Sequence, residues 1–100
     1  MYEGKIIQKN EITITQILDK LKKSKNFKKA GAITAFIGVV RSTSKKGEAV
    51  KGLYIEAWEE KANQSLKQIA KDISSNQGIT DVIIYHILGD LNVGEDIVYV

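Results

Sequence analysis

Three side chains in this sequence are candidates for chemistry: Arg41, His86 and Glu56. Arg41 is the sole arginine in a chain with 15 lysines and arginines combined, and it closes the apolar run that begins at Gly31-Ala32-Ile33 and ends at Gly38-Val39-Val40. A guanidinium is a planar, permanently charged fork that grips a carboxylate or phosphate through two parallel hydrogen bonds, whereas an ammonium is a point charge. Placed where a strand runs out into polar Ser42-Thr43-Ser44, Arg41 reads as an anion-recognition residue; a solvated surface arginine is the alternative. His86 is the only histidine and stands in an apolar strand with no Asp/His/Cys cluster accompanying it. A buried, hydrogen-bonded structural histidine is therefore favoured over a catalytic one or a metal ligand. Glu56 shares a strand face with Tyr54 and Trp58, from which it can anchor a loop, pair with Arg41 or stay solvated. For Tyr54 and Trp58, ordinary half-buried packing is favoured over a partner surface.

Composition removes several classes of function. One hundred residues, 43% of them hydrophobic and 27% charged, are enough for one globular domain. The absence of cysteine excludes disulfides, thiolate metal sites and thiol nucleophiles within the chain. No apolar run is long enough to span a bilayer and no signal-peptide pattern opens the sequence, so a cytoplasmic protein without membrane attachment is expected. The net charge of +3 is mild evidence for an anionic partner. Six lysines crowd into positions 20–29, but with Phe27 the one aromatic among them and no arginine they lack the interleaving of a nucleic-acid surface, so they read as a solvated helix end and loop. Phosphate-cradling glycine loops, paired catalytic carboxylates, nucleophile elbows and metal-ligand clusters are all missing from the pattern.

The elements that must position these residues are legible from periodicity. Tyr2 to Gln8 predicts a short edge strand and Asn10-Glu11 a turn. Thr13 and Gln16 have capping-box spacing, and Ile14, Ile17, Leu18 and Leu21 line one helical face behind them. The nearly continuous apolar run Ala32 to Val40 predicts a central strand covered on both faces, which makes Phe36 a core residue worth about 3–5 kcal/mol against alanine. Ser42 to Ala49 reads as a mobile loop, and Val50 to Trp58 as an alternating strand. Glu59 and Glu60 suit the first turn of a helix whose apolar stripe is Ala62, Leu66, Ile69, Ala70 and Ile73, with Gly78 following its end. Val82 to Leu88 predicts a third core strand. Asn92-Val93-Gly94-Glu95 predicts a turn and Ile97 to Val100 one more strand. The fold class is α+β, in the order β-α-β-β-α-β-β, with two helices packed on a mixed or antiparallel sheet. Residues 1–100 are expected to form a single domain. Because the last strand stops while still apolar, the domain is expected to be incomplete after Val100.

Gly31-Ala32-Ile33 leading to Gly38-Val39-Val40-Arg41 resembles the large, catalytic subunit family of molybdopterin synthase, with its Gly-Ala apolar strand and Gly-x-Val-Arg element. Glu56-Ala57-Trp58, the helix Lys61 to Ile73, His86-Ile87-Leu88-Gly89 and Leu91-Asn92-Val93-Gly94-Glu95 follow at similar separations. The resemblance implies the hammerhead-like fold of that family. It also implies sulfur transfer onto a cyclic pyranopterin phosphate, the sulfur arriving as a thiocarboxylate on the C-terminal glycine of a small ubiquitin-like partner. Large subunits of the family pair as a homodimer, giving a heterotetramer; no permanently bound cofactor or metal is implied. By the same resemblance Val39, Val40 and Arg41 border the substrate pocket, with Arg41 suited to the substrate phosphate or the partner's terminal carboxylate.

Three departures qualify the match. Val39 stands where the family often has lysine, and Ile87 follows His86 where the family usually has arginine. The family's later His-Arg pair and its two catalytic lysines, which would stabilise anionic intermediates or form an adduct, are expected beyond Val100. A non-catalytic dimerising or partner-binding domain of the same fold is therefore the alternative reading.

Overall fold

The computed structural model describes all residues from Met1 to Val100. The element order is the expected one: β1 (Tyr2–Gln8), α1 (Ile14–Lys22), β2 (Ile37–Val39), β3 (Gly52–Ile55), α2 (Glu59–Ser74), β4 (Val82–Asn92) and β5 (Asp96–Tyr99), with one 3-10 turn at Phe27–Lys29. β4 organises the sheet. It pairs in parallel with β1 from Tyr2↔Val82 to Gln8↔Leu88, and antiparallel with β5 through Tyr85↔Tyr99 and His86↔Val98. β2 adds antiparallel to β5, giving the order β1-β4-β5-β2, while β3 pairs with the far end of β4. β4 runs on past Leu88, where the sequence suggested an end. Gly89 has φ +106°, a conformation open to glycine, and sits where the partners of β4 change to β3.

The two helices take opposite faces of this sheet. Side chains alternate along a strand, and the odd-numbered Ile7, Ile83, Tyr85 and Ile87 join Ile17 of α1, Val40, Leu91 and Tyr99 in one buried cluster. α1 starts as its sequence dictates: the Thr13 hydroxyl accepts from the Gln16 amide at 3.2 Å and the Gln16 side chain accepts from the Thr13 amide at 2.8 Å. A polar cluster adds to this docking. The Tyr85 hydroxyl donates to Glu3, and Lys20 donates to the same Glu3 oxygen at 2.7 Å and to the Tyr85 hydroxyl at 3.2 Å.

α2 packs on β1 and β4 across the even-numbered face, where Ile84, Leu88 and its own Ala70 are buried. It crosses β1 at Gly4, where a Cβ atom would lie 2.2 Å from the Leu66 carbonyl oxygen. Only a residue without a side chain permits that approach. Beside the crossing, the Ile6 amide donates to the Asn63 side chain at 2.6 Å, which occupies a donor that an edge strand leaves open.

The expectation of a central, doubly covered strand from Ala32 to Val40 is corrected by this architecture. Only Ile37–Val39 form a strand, and it lies at the sheet edge with β5 as its one neighbour. Phe36 is 64% exposed, Ile37 and Val39 are exposed as well, and Val40 alone is buried. Continuous apolarity signals coverage on both faces, but α2 packs on β1 and β4, and Phe36, Ile37 and Val39 stay exposed. The strand expected from Val50 to Trp58 is likewise confined to Gly52–Ile55.

Candidate anion-recognition site

Arg41 is the residue at which the chain leaves β2, and the backbone just before it is firmly held. Phe36 and Val100 exchange both of their peptide hydrogen bonds, at 2.7 and 2.9 Å. Two strand positions on from Gly38, the Val40 amide donates to the Glu95 carbonyl at 3.0 Å, while the Gly94 amide donates to the Val40 carbonyl at 2.8 Å. The peptide groups of Ile37 and Val39, by the alternation of an antiparallel ladder, face the open edge instead. Of the three residues expected to border a pocket, Val40 is thus 2% exposed and part of the core, Val39 is exposed on the edge strand, and Arg41 is exposed. Val40 serves the site by placement, since its side chain and both peptide groups are already engaged.

Arg41 has no ion-pair partner; the three salt bridges of the structure join the Met1 amine to Asp81, Lys9 to Glu95 and Lys20 to Glu3. In particular Glu56, a candidate partner, is not paired with it. A free guanidinium on a fixed strand end is what an anion ligand requires.

The support beneath it is a residue that sequence reasoning placed only in a turn. Glu95 closes the Asn92–Glu95 turn with its own amide, 3.0 Å from the Asn92 carbonyl, and turns its carboxylate back onto the Asn92 amide at 2.6 Å. The Lys9 ammonium, at the end of β1, donates to that carboxylate at 2.8 Å. The Lys9 hydrogen bond and the Asn92 amide together hold the Glu95 carboxyl below the usual carboxylate range. Next to this pair runs a groove of ≈ 320 Å³ bordered by Lys9, Thr13, Asp96 and Tyr99. The Tyr99 hydroxyl donates to Asp96 at 2.6 Å; burial first, and Asp96 second, push it up to about 12.

After Arg41, in the stretch expected to be a mobile loop, one isolated bridge and a few turn hydrogen bonds draw the chain back on itself. Thr43 bridges Ala49, the Val50 amide donates to the Ser42 carbonyl and the Ser44 amide to the Glu48 carbonyl, each at 2.8 Å. The Ser44 hydroxyl accepts from the Lys46 and Glu48 amides across the tip. Serine at this position supplies the turn bonds that an apolar anchor would otherwise have to replace.

The remaining candidates lie elsewhere. His86 is half-buried on the even face of β4, its Nδ1 3.1 Å from the Ile87 carbonyl oxygen, which fits a structural role. Tyr54 and Trp58, expected to be half-buried, are 65% and 73% exposed, so they form surface. No group of three or more His, Asp or Glu side chains is arranged to hold a metal ion. No helix is long and apolar enough to cross a membrane. Between α1 and the 30–36 segment lies a cavity of ≈ 350 Å³, lined mostly by hydrophobic residues that include Phe36 and Val100.

A catalytic subunit of molybdopterin synthase from Bacillus subtilis is 37% identical over 89 residues, which is 89% of this chain and 54% of that protein. The corresponding subunit from Pyrococcus abyssi is 34% identical over 70 residues, 70% of this chain and 47% of that protein. The chain thus spans about half the length of the curated relatives it matches. The solved structure of molybdopterin cofactor biosynthesis protein E from Burkholderia multivorans superposes with a TM-score of 0.76 at 22% identity, covering 98% of this chain and 62% of that one, so the fold is shared. The family model described as MoaE protein matches residues 7–100, a span that holds Lys9, Arg41 and Glu95 together, and the chain belongs to the MoaE family.

Proposed function

We propose that this chain is the catalytic-subunit domain of a molybdopterin synthase, a sulfurtransferase that converts a cyclic pyranopterin phosphate to molybdopterin. The sulfur donor is a thiocarboxylated, ubiquitin-like small subunit in the cytoplasm, and the large subunits pair as a homodimer within a heterotetramer. Arg41 grips the precursor's phosphate or the small subunit's terminal carboxylate, with Val39 and Val40 preceding it in the substrate-binding element. The observation that carries this reading is the unpaired, exposed guanidinium on a strand end whose backbone is fixed, in a chain of the MoaE family. On this reading residues 1–100 contribute the sheet and the anion grip. No cofactor is held permanently on this reading; the pyranopterin phosphate is the substrate.

A second reading, a partner-binding or dimerising domain without catalysis, is favoured by the exposed apolar edge at Phe36, Ile37 and Val39. The experiment combines the full-length protein with thiocarboxylated small subunit and precursor and follows product. Turnover supports the enzyme reading, while binding of the small subunit without turnover selects the second. Arg41→Ala should lower transfer by about ten- to a hundred-fold, the equivalent of one lost charge-assisted contact of about 1.5–3 kcal/mol. Arg41→Lys should resemble Arg41→Ala more than the parent, because the fork is lost. Full activity in both variants would remove Arg41 from the site.

A further inference from the structure

We infer that Glu95 is a positioning residue for Arg41, clamped in place by Lys9, and that the two act as one unit with the strand end they support. The inference rests on the reading of Arg41 as an anion grip. Its grounds are connectivity and geometry. Glu95 touches the Arg41 strand through its main chain, accepting from the Val40 amide at 3.0 Å, one peptide unit before Arg41. Its side chain does something different. One carboxylate oxygen accepts from both the Asn92 amide at 2.6 Å and Lys9 at 2.8 Å, and the other lies 2.7 Å from Lys9. The carboxylate therefore fixes the very turn whose carbonyl and whose Gly94 amide hold Val40 from both sides. Without it, the turn has only its own 3.0 Å backbone bond, and the strand end inherits the turn's freedom.

Lys9 gives the clamp its reach. It stands at the exit of β1, with Asn10 beside it in the left-handed region at φ +65°, and its partner is 86 residues away in sequence. The link therefore ties the first strand to the last hairpin at the corner where β2 ends. Loss of Lys9 leaves the Asn92 amide capped but frees the carboxylate to rotate. Loss of Glu95 removes both contacts and leaves the Lys9 ammonium without its partner.

The single arginine makes this directly readable, because the chain carries one Nε–Hε guanidinium resonance and it belongs to Arg41. Inorganic phosphate is titrated into the folded chain while that resonance and the Val40, Ser42 and Gly94 amides are followed by NMR, with a melting curve for each variant. In the parent, phosphate shifts the guanidinium signal and the neighbouring amides. Glu95→Ala should weaken phosphate by about three- to tenfold, Lys9→Met by about threefold, and Lys9→Arg should restore parental binding. The Val40 amide should exchange faster in Glu95→Ala while amides of the β1–β4 ladder keep their protection, a pattern that general loosening would not give. If Glu95→Ala does not fold, Glu95→Gln, which keeps an acceptor for the Asn92 amide, and Lys9→Met carry the test. Parental phosphate affinity in Glu95→Ala and Lys9→Met, alongside a loss in Arg41→Ala, overturns the positioning role and leaves Arg41 standing. Parental affinity in Arg41→Ala overturns the anion-grip reading and the inference with it.

Discussion

Gly4→Ala tests whether α2 rests on the backbone of β1, on which the whole even face of the sheet depends. An added Cβ would stand 2.2 Å from the Leu66 carbonyl oxygen and 2.6 Å from the Lys67 nitrogen, where ordinary contact begins at 3.4 Å. Both obstacles are helix backbone, so no side-chain rotation relieves them, and α2 must withdraw by more than an ångström. Overpacking of this kind costs about 1–3 kcal/mol. The withdrawal also stretches the 2.6 Å bond from the Ile6 amide to Asn63, whose loss would add about 1 kcal/mol. Against this, alanine narrows the unfolded ensemble and returns about 0.4–1 kcal/mol. The net expectation is a loss of about 2–3 kcal/mol, or a fall in Tm of about 8–24 °C for a domain of this size. Urea unfolding and thermal melting followed by circular dichroism measure it. Gly31→Ala is the control, since a Cβ there meets nothing within 4 Å and should leave stability unchanged or raise it by up to about 1 kcal/mol. Equal stability in the two variants would refute the close crossing.

Phe36→Ala should cost well under the 3–5 kcal/mol of a core phenylalanine, about 1–1.5 kcal/mol, because 64% of the residue is already in water; urea midpoints check it, and a loss above about 3 kcal/mol would restore the buried strand. Desolvation raises the Glu3 carboxyl, but the hydrogen bonds from Lys20 and Tyr85 and the charges of Lys20 and Lys5 outweigh it, so it is held below the ordinary 4.5. A carboxyl depressed in the folded state stabilises above its ordinary value and loses that contribution as pH falls through the folded one. The stability gap between the parent and Glu3→Gln should therefore be open at pH 7 and close progressively below pH 4.5, as read from melting curves across acid pH. A gap that is constant down to pH 2 would mean that charge plays no part in docking α1.

What the sequence disclosed was mostly local. Thr13 and Gln16 are three residues apart and find each other without help from the rest of the chain, so α1 begins where its spacing says. The turn at Asn92–Glu95 and the acidic first turn of α2 are of the same kind. The order of elements followed from them. The errors fell where identity of the neighbour matters. The apolar run from Ala32 looks the same whether a helix of its own domain or nothing within residues 1–100 covers it, and here it is an edge. Gly89 reads as a strand end, yet the strand continues through it by changing partners. Within the candidate site, Arg41 was legible by its rarity. Glu95 and Lys9 were not, since their pairing spans 86 positions and no periodicity announces it. The cluster of Glu3, Lys20 and Tyr85 was hidden for the same reason.

The parallel pairing of β1 with β4 has a consequence for how the protein is made. Tyr2 meets Val82, so the first strand leaves the ribosome long before its only sheet neighbour exists. At about 5–20 residues per second, the interval is about 4–16 s, during which Ile6 and Ile7 have no strand to join. Closing a loop of that span also costs about 4 kcal/mol of chain entropy before any ladder bond repays it. Assembly of the sheet must then wait for β4, and the nascent chain is a client for whatever holds apolar segments apart in the meantime. A substitution that merely slows β4, leaving the finished fold as stable as before, would reduce yield in the cell through aggregation of the waiting strand.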